Sequence, residues 1–417
     1  MSVTDVARHA GAQLGLLSLP RRRVALPDDF YHPPTPLPAG GPGDLIRAGS
    51  MDAYLVPGVR FRVRAWRVLY RSTSATGEPT AVSGSVLVPR AKARGPRPLV
   101  GYAVGTHGIG DSAAPSRLLG LGMEWEAGLI AMLLARGWAV AITDYQGLGT
   151  PGDHTYMVGR ALGRNVLDVM RAARSLAPSE LPVGGPAAIV GYSEGGAAAA
   201  WAAQLQSTYA PDVPLAGVAA GAAAADIEAA GSSLDGSLFS FFIAYGAIGY
   251  AAAYPELDLD SILTPAGSAA IGALRESSIL QAMRLGAQFT RASEFTRPSV
   301  FDVPEWRTRL RENRLGMTAP AAPVLLHHAR RDQIVSFAQS SELRDDWERL
   351  GADVRLHITR GGVDHISGAI AGTPVALSWL ARRIGGAGCA EPVVKSATAA
   401  VLKTGLRVGP QVASEPA

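Results

Sequence analysis

Three residues of this chain have the types and order needed for nucleophilic catalysis: Ser193, Asp332 and His365. Ser193 lies in Gly191-Tyr192-Ser193-Glu194-Gly195, with Gly196 directly after it. An apolar run, Ala188-Ile189-Val190, leads into this Gly-x-Ser-x-Gly pattern, and an alanine-rich helical stretch, Ala197 to Gln206, follows. That is the strand–turn–helix setting that lifts a serine clear of a sheet. The turn strains the backbone, so its neighbours must be small, and glycine has no Cβ to clash. The helix that begins there points its positive end and free N–H groups at any oxyanion forming beside the serine.

A serine hydroxyl is a weak nucleophile until a histidine takes its proton, and a carboxylate fixes that histidine. In the fold that carries this turn, the chain order is serine, then acid, then histidine. Functional groups sit beyond the carboxyl ends of the strands. Asp332 follows the apolar strand Pro323 to Ala329, and His365 follows the next strand, Asp353 to Thr359. Their rivals fit less well. His327, His328 and His357 fall inside strands, and Asp364 adjoins His365 and would point elsewhere. His107 and His154 precede the serine and break the order. No carboxylate or cysteine stands at ligand spacing from His327 and His328, so no metal is expected, and no cofactor either.

These residues need a rigid frame, and the rest of the sequence supplies one. At 417 residues and 47% hydrophobic, the chain is long and apolar enough for a large folded core. The net charge of +4 is spread out, with only Arg21-Arg22-Arg23 as a small cluster, so no nucleic-acid partner is expected. The single cysteine, Cys389, leaves no disulfide to form within this sequence. Ala10 to Leu19 is a short apolar patch, but its basic residues follow it, the wrong order for a secretory signal. Cytoplasmic residence is therefore expected, with secretion as the alternative.

The pattern divides the chain into four parts. Residues 1–44 are rich in proline and glycine and read as an extended arm on the domain. Residues 45–225 and 320–385 read as the core. Strands are expected at Val59 to Arg71 and Ala81 to Pro89, paired as a hairpin, then at Leu99 to Val104, Trp138 to Asp144 and Leu215 to Ala220. Helices are expected at Met123 to Arg136, Gly159 to Ala177, Phe337 to Leu350 and Pro374 to Ile384. Short uninterrupted apolar strands alternating with helices mean a mostly parallel sheet covered on both faces, an α/β fold. Residues 226–319 interrupt it with helical segments only, as a cap or lid would. Residues 386–417 form a small, polar tail expected to be flexible.

Several stretches beyond the serine turn resemble one family. They are Trp66-Arg67-Val68-Leu69-Tyr70-Arg71-Ser72-Thr73, Gly105-Thr106-His107-Gly108, Asp111-Ser112-Ala113-Ala114-Pro115-Ser116, Thr143 to Gly152 and Ala253-Tyr254-Pro255-Glu256-Leu257. The chain resembles the secretory lipases of the α/β-hydrolase fold, the group typified by Candida antarctica lipase A, in its actinobacterial branch. The resemblance implies a carboxylic-ester hydrolase with a helical cap over an acyl-binding tunnel, and a Ser-Asp-His triad matched by Ser193, Asp332 and His365. Members often carry a cysteine where Ala113 stands here, which fits the cytoplasmic expectation.

The expected chemistry is ester hydrolysis through an acyl-enzyme, on small-molecule or lipid esters with apolar acyl chains such as acylglycerols. Contact with a lipid interface is at most transient. An amidase or peptidase on the same fold, and a non-catalytic ligand-binding protein, are the alternatives. One oxyanion donor is the backbone N–H of Glu194, the residue after the nucleophile. For the second, the resemblance implies Asp111, which could donate only as a neutral acid with a pKa raised by burial. The alternative is a backbone N–H of the loop Gly105 to Asp111. In the insertion, Phe242 and Ile243 are expected to line the acyl site, with ordinary packing as the alternative.

Overall fold

A computed structural model describes residues 28–286 and 291–384. The apolar patch Ala10 to Leu19, the Arg21–Arg23 cluster, Cys389 and the tail lie outside the described residues. Nine strands form the central sheet: β1 Leu45–Ser50, β2 Val63–Thr73, β3 Pro79–Pro89, β4 Leu99–Ala103, β5 Ala139–Thr143, β6 Ala187–Tyr192, β7 Gly217–Gly221, β8 Val324–His328 and β9 Val354–Ile358. Their spatial order is β1-β2-β3-β5-β4-β6-β7-β8-β9. The first three pairings are antiparallel and the five from β5 to β9 are parallel. Strands β4 to β8 are buried throughout except at Tyr192, the last residue of β6, as the unbroken apolar runs require.

The order reverses beside β4, whose neighbours are β5 and β6. Such a switch point leaves a crevice at the carboxyl ends of the strands, where the flanking loops part in opposite directions. The register brings those ends level: Ala103 pairs with Gly191, Tyr192 with Gly221, and His327 with Gly221. The loop from Gly105, the Ser193 turn, Asp332 and His365 therefore all leave the sheet on one side.

Several elements differ from the sequence expectation. β1 lies just past the residues read as an arm, and it was not foreseen because Leu45–Ser50 is a partly exposed edge strand without clean alternation. The first expected strand is broken at Phe61 and Arg62: Val59–Arg60 pairs with Tyr54–Val56 in a separate ribbon. The helix expected from Met123 is shorter, Ala127–Leu134, and leaves Glu124 and Glu126 in the turn before it. The last helix starts at His365 instead of Pro374 and carries that proline inside it. A proline at the start of a helix is common, so the sequence suggested the wrong boundary.

From the arm, Tyr31 is fully buried and its hydroxyl shares a 2.9 Å hydrogen bond with Ser116 Oγ. The insertion folds as helices Ile227–Leu234, Phe241–Ala253, Pro265–Arg275, Ile279–Gly286, Ala292–Phe295 and Pro304–Glu312. Asp226 and Thr264 cap two of them by accepting N–H groups, and prolines begin two at Pro265 and Pro304. Phe241, Tyr245, Ile271, Trp306 and Leu310 form an apolar cluster separate from that of the sheet, and Tyr156, Met157 and Val158 of the core join it. Among the described residues no helix is long and apolar enough to cross a membrane.

Candidate active site

Ser193 has φ +62° and ψ −123°, a strained backbone for a residue with a side chain. Its N–H donates to Gly221 O at 2.9 Å, which anchors the turn to β7, and helix Glu194–Tyr209 begins at the next residue. A Cβ at Gly191 would run into Gly195 O, one at Gly195 into Ala103 O, and one at Gly196 into Gly221 O. The three glycines thus let the helix start against the backbones of three strands. The Glu194 N–H has no acceptor among the described residues.

Asp332 and His365 meet where the order rule puts them. His365 Nδ1–H donates to Asp332 Oδ2 at 2.6 Å. Asp332 Oδ1 accepts the N–H groups of Ile334 and Val335, each at 2.9 Å. His328 completes the set: Ser340 Oγ lies 2.8 Å from its Nδ1, and Nε2–H donates to Asp332 Oδ2 at 3.2 Å and Val335 O at 3.0 Å. Burial alone would raise the Asp332 pKa. The hydrogen bonds from His328 and His365, with help from the Val335 N–H, outweigh it and hold the carboxyl well below the usual range. His328, which the sequence places inside a strand, is buried, and it also grips the acid.

His365 is fixed at its backbone as well. Its N–H donates to Gln333 Oε1 at 3.0 Å, and its carbonyl accepts the Tyr192 hydroxyl at 2.9 Å. Tyr192 precedes Ser193, so the strand that presents the serine also holds the histidine. Ser193 Oγ and His365 Nε2 form no hydrogen bond in this conformation among the described residues. Contacts of this kind commonly tighten only when substrate is bound. Asp364 faces elsewhere, accepting the Ser367 N–H at 2.7 Å. His327 is buried, and burial lowers its pKa to about 3, so it is neutral.

On the other side of Ser193 runs the loop after β4. A Cβ added at Gly105 would lie 3.9 Å from Ser193 Cβ, so this backbone passes beside the nucleophile. The Gly105 N–H faces the Glu126 carboxylate at 3.2 and 3.4 Å, and the Gly105 carbonyl accepts from His107 Nδ1 at 2.7 Å. His107 Nε2 reaches Glu124 Oε1 at 2.7 Å. Burial opposes charge on His107, but Glu124 overcomes it and the pKa rises to about 9, so both ring nitrogens carry protons. Burial pushes Glu126 up to about 7. The Thr106 N–H has no acceptor among the described residues.

Asp111 is the other oxyanion candidate. It is exposed, and its Oδ1 accepts the Gly149 N–H at 2.8 Å.

Phe242 and Ile243 line the same cavity as Ser193 and Glu194, together with Leu234, Trp306 and other apolar side chains of the insertion. Glu194 itself is buried, and its Oε1 accepts from His154 Nε2 at 2.9 Å.

The family model for secretory lipases matches residues 112–391, which span the serine, the acid and the histidine. The chain belongs to the secretory lipase family. Membership supports carboxylic-ester hydrolysis, the reaction that the family's name gives. A protein of Mycobacterium tuberculosis named as a probable inactive lipase is 28% identical over 87% of this chain and 84% of its own length. A secreted triacylglycerol lipase of Malassezia globosa is 27% identical over 86% of this chain and 78% of its own. Among solved structures, Candida antarctica lipase A in its closed state superposes with a TM-score of 0.78 at 20% identity, covering 88% of this chain and 89% of that one. The cell-wall-degrading esterase of Xanthomonas oryzae gives 0.67 at 20% identity, covering 81% and 97%. At such identities the structures establish the α/β-hydrolase fold.

Proposed function

We infer that this secretory lipase is a serine carboxylic-ester hydrolase acting through an acyl-enzyme, with Ser193 as nucleophile, His365 as base and Asp332 as the orienting acid. The observation that carries this is the 2.6 Å pair between His365 and Asp332 at the mouth of the strained Ser193 turn. His365 Nε2 takes the Ser193 proton as Oγ attacks the ester carbonyl. It returns that proton to the leaving alcohol, then activates water to release the acid. The Glu194 N–H is one oxyanion donor. The second is the Thr106 N–H in place of Asp111, because the exposed Asp111 carboxylate is already an acceptor. The helical insertion acts as a cap, and the apolar cavity that Phe242 and Ile243 share with Ser193 supports esters with apolar acyl chains, acylglycerols among them.

A fluorophosphonate probe tests the chemistry. Wild type labelled at Ser193, with no label in Ser193→Ala, is the expected outcome. Hydrolysis of a p-nitrophenyl ester but not its matched anilide separates an esterase from an amidase. One relative is named a probable inactive lipase, which favours a second reading, a protein without turnover, and an unlabelled Ser193 would leave that reading, including a ligand-binding role, standing. The names of other relatives do not support the cytoplasmic expectation; they favour export. Sequencing the N-terminus of protein recovered from culture medium and from cells tests that.

A further inference from the structure

The backbone beside Ser193 is gripped by ionisable side chains that the proton-transfer chemistry does not use. Glu126 takes the Gly105 N–H, and the Tyr102 hydroxyl donates to Glu126 Oε2 at 2.9 Å. His107 takes the Gly105 carbonyl, and Glu124 Oε1 receives both His107 Nε2–H and, at 2.9 Å, the Glu126 N–H. A buried acid, Glu124, and a half-buried one, Glu126, are a costly way to satisfy one backbone residue, since a carboxylate loses more on leaving water than such bonds return in stability. Ionisable groups retained at that cost tend to mark function.

Geometry says what they do. A trans peptide sets its C=O and N–H on opposite sides. With the Gly105 carbonyl turned to His107, the Thr106 N–H of the same peptide is turned away from it, and it has no acceptor among the described residues. Gly105 itself abuts Ser193. We propose that Glu126, acting with His107, is a positioning residue: it clamps Gly105 from both sides and aims the Thr106 N–H at the oxyanion formed on Ser193. The inference rests on Ser193 being the nucleophile.

The test compares Glu126→Ala, Glu126→Gln and Tyr102→Phe in the full chain, with p-nitrophenyl butyrate as substrate. A trifluoromethyl ketone of matched acyl length serves as an inhibitor that becomes an oxyanion on the serine. Glu126→Ala should lower kcat by about tenfold to a hundredfold, since it displaces one donor. KM should stay within about twofold, because only the transition state is affected. Ketone affinity should fall by the same factor as kcat. Glu126→Gln should recover most of the loss, because its amide oxygen still accepts the Gly105 N–H. Tyr102→Phe, which frees Glu126 to turn, should lose kcat several-fold with KM unchanged. It decides the matter if Glu126→Ala does not fold. Unchanged kcat in folded Glu126→Ala, a loss confined to KM, equal damage from Ala and Gln, or a fully active Tyr102→Phe would each overturn the proposal. Failure of wild type to label at Ser193 would instead remove the nucleophile reading beneath it.

Discussion

Asp332 and His365 draw their partners from the sheet and its loops: His328, Ile334, Val335, Gln333 and Tyr192. The loop across from them is shared. Glu126 and His107 hold Gly105 from the core side, but beyond it the insertion takes over. Ile279 N–H donates to His107 O at 2.9 Å, and Ile109 and Gly110 N–H groups donate to Ser277 O at 3.1 and 3.2 Å. Gly108 and Ser278 form an antiparallel bridge, and Tyr245 pins Ser277 through a 2.7 Å hydroxyl contact. The proposed proton-transfer half of the site is thus built on the sheet and its loops. The loop of the proposed charge-stabilising half is held by the core at Gly105 and by the insertion from His107 to Gly110, the arrangement by which closure of a cap over substrate completes a site.

Breaking the core half should have the largest effect. Ser193→Ala or His365→Ala should lower kcat by about 10⁴- to 10⁶-fold, and the double variant little further, because the groups act as a unit. Asp332→Asn should cost about 10⁴-fold or less, since it disturbs only the orientation of His365. Ester hydrolysis by folded variants checks both. Near-full activity in Asp332→Asn with loss in Asp364→Asn would reassign the acid.

Breaking the shared half should cost less and act at a distance. Gly108 has φ +136°, and a Cβ there would sit 2.5 Å from Ser277 O and 2.6 Å from Ser278 Cα. Gly108→Ala should therefore unhook the loop from the insertion and lower kcat by about tenfold to a hundredfold. The Asp332–His365 pair should be untouched, so the downfield proton resonance of that hydrogen bond should persist. Its loss along with activity would mean that the two halves are not separable. Smaller still should be the effect of replacing Phe242 and Ile243 with Trp. The bulk should shift preference toward shorter acyl chains by several-fold in a p-nitrophenyl ester series, without abolishing turnover. An unchanged preference in stable variants would return both to ordinary packing.

How far the sequence could be read follows the same division. The strands were legible because burial on both faces demands unbroken apolar runs, and the Ser193 turn was legible because close backbone contacts demand glycine at 191, 195 and 196. The candidate acid and histidine were picked out by chain order and strand ends. His328, Tyr192, Glu124 and Glu126 left no such signature. Glu126 acts on a residue 21 positions away and Tyr192 on one 173 away, and only the assembled sheet brings them together. Chain order set His107 aside as a base, but that rule says nothing about residues that shape a loop. The turn holding Glu124 and Glu126 was read as helix because its neighbours are good helix formers.

Asp111 gives the mildest prediction and the one that separates a backbone hole from a side-chain hole. Its Oδ1 accepts the N–H of Gly149, a residue at φ +84° in the loop after β5, so the side chain ties two loops together at an exposed position. Asn keeps an oxygen to accept that N–H. Ala leaves the N–H of this buried glycine without that acceptor, at a cost of about 1–3 kcal/mol in stability. Neither substitution touches the Glu194 or Thr106 N–H groups. Asp111→Asn and Asp111→Ala should therefore both retain kcat within about threefold of wild type, well short of the loss of an oxyanion donor. A side-chain donor predicts a different pattern: Ala falling about a hundredfold while Asn stays active. That result in folded variants would mean that Asp111 turns inward and becomes buried when the insertion closes on substrate. The second donor would then pass from the loop backbone to the insertion-dependent side chain, and Gly108→Ala and Asp111→Ala should fall by similar factors.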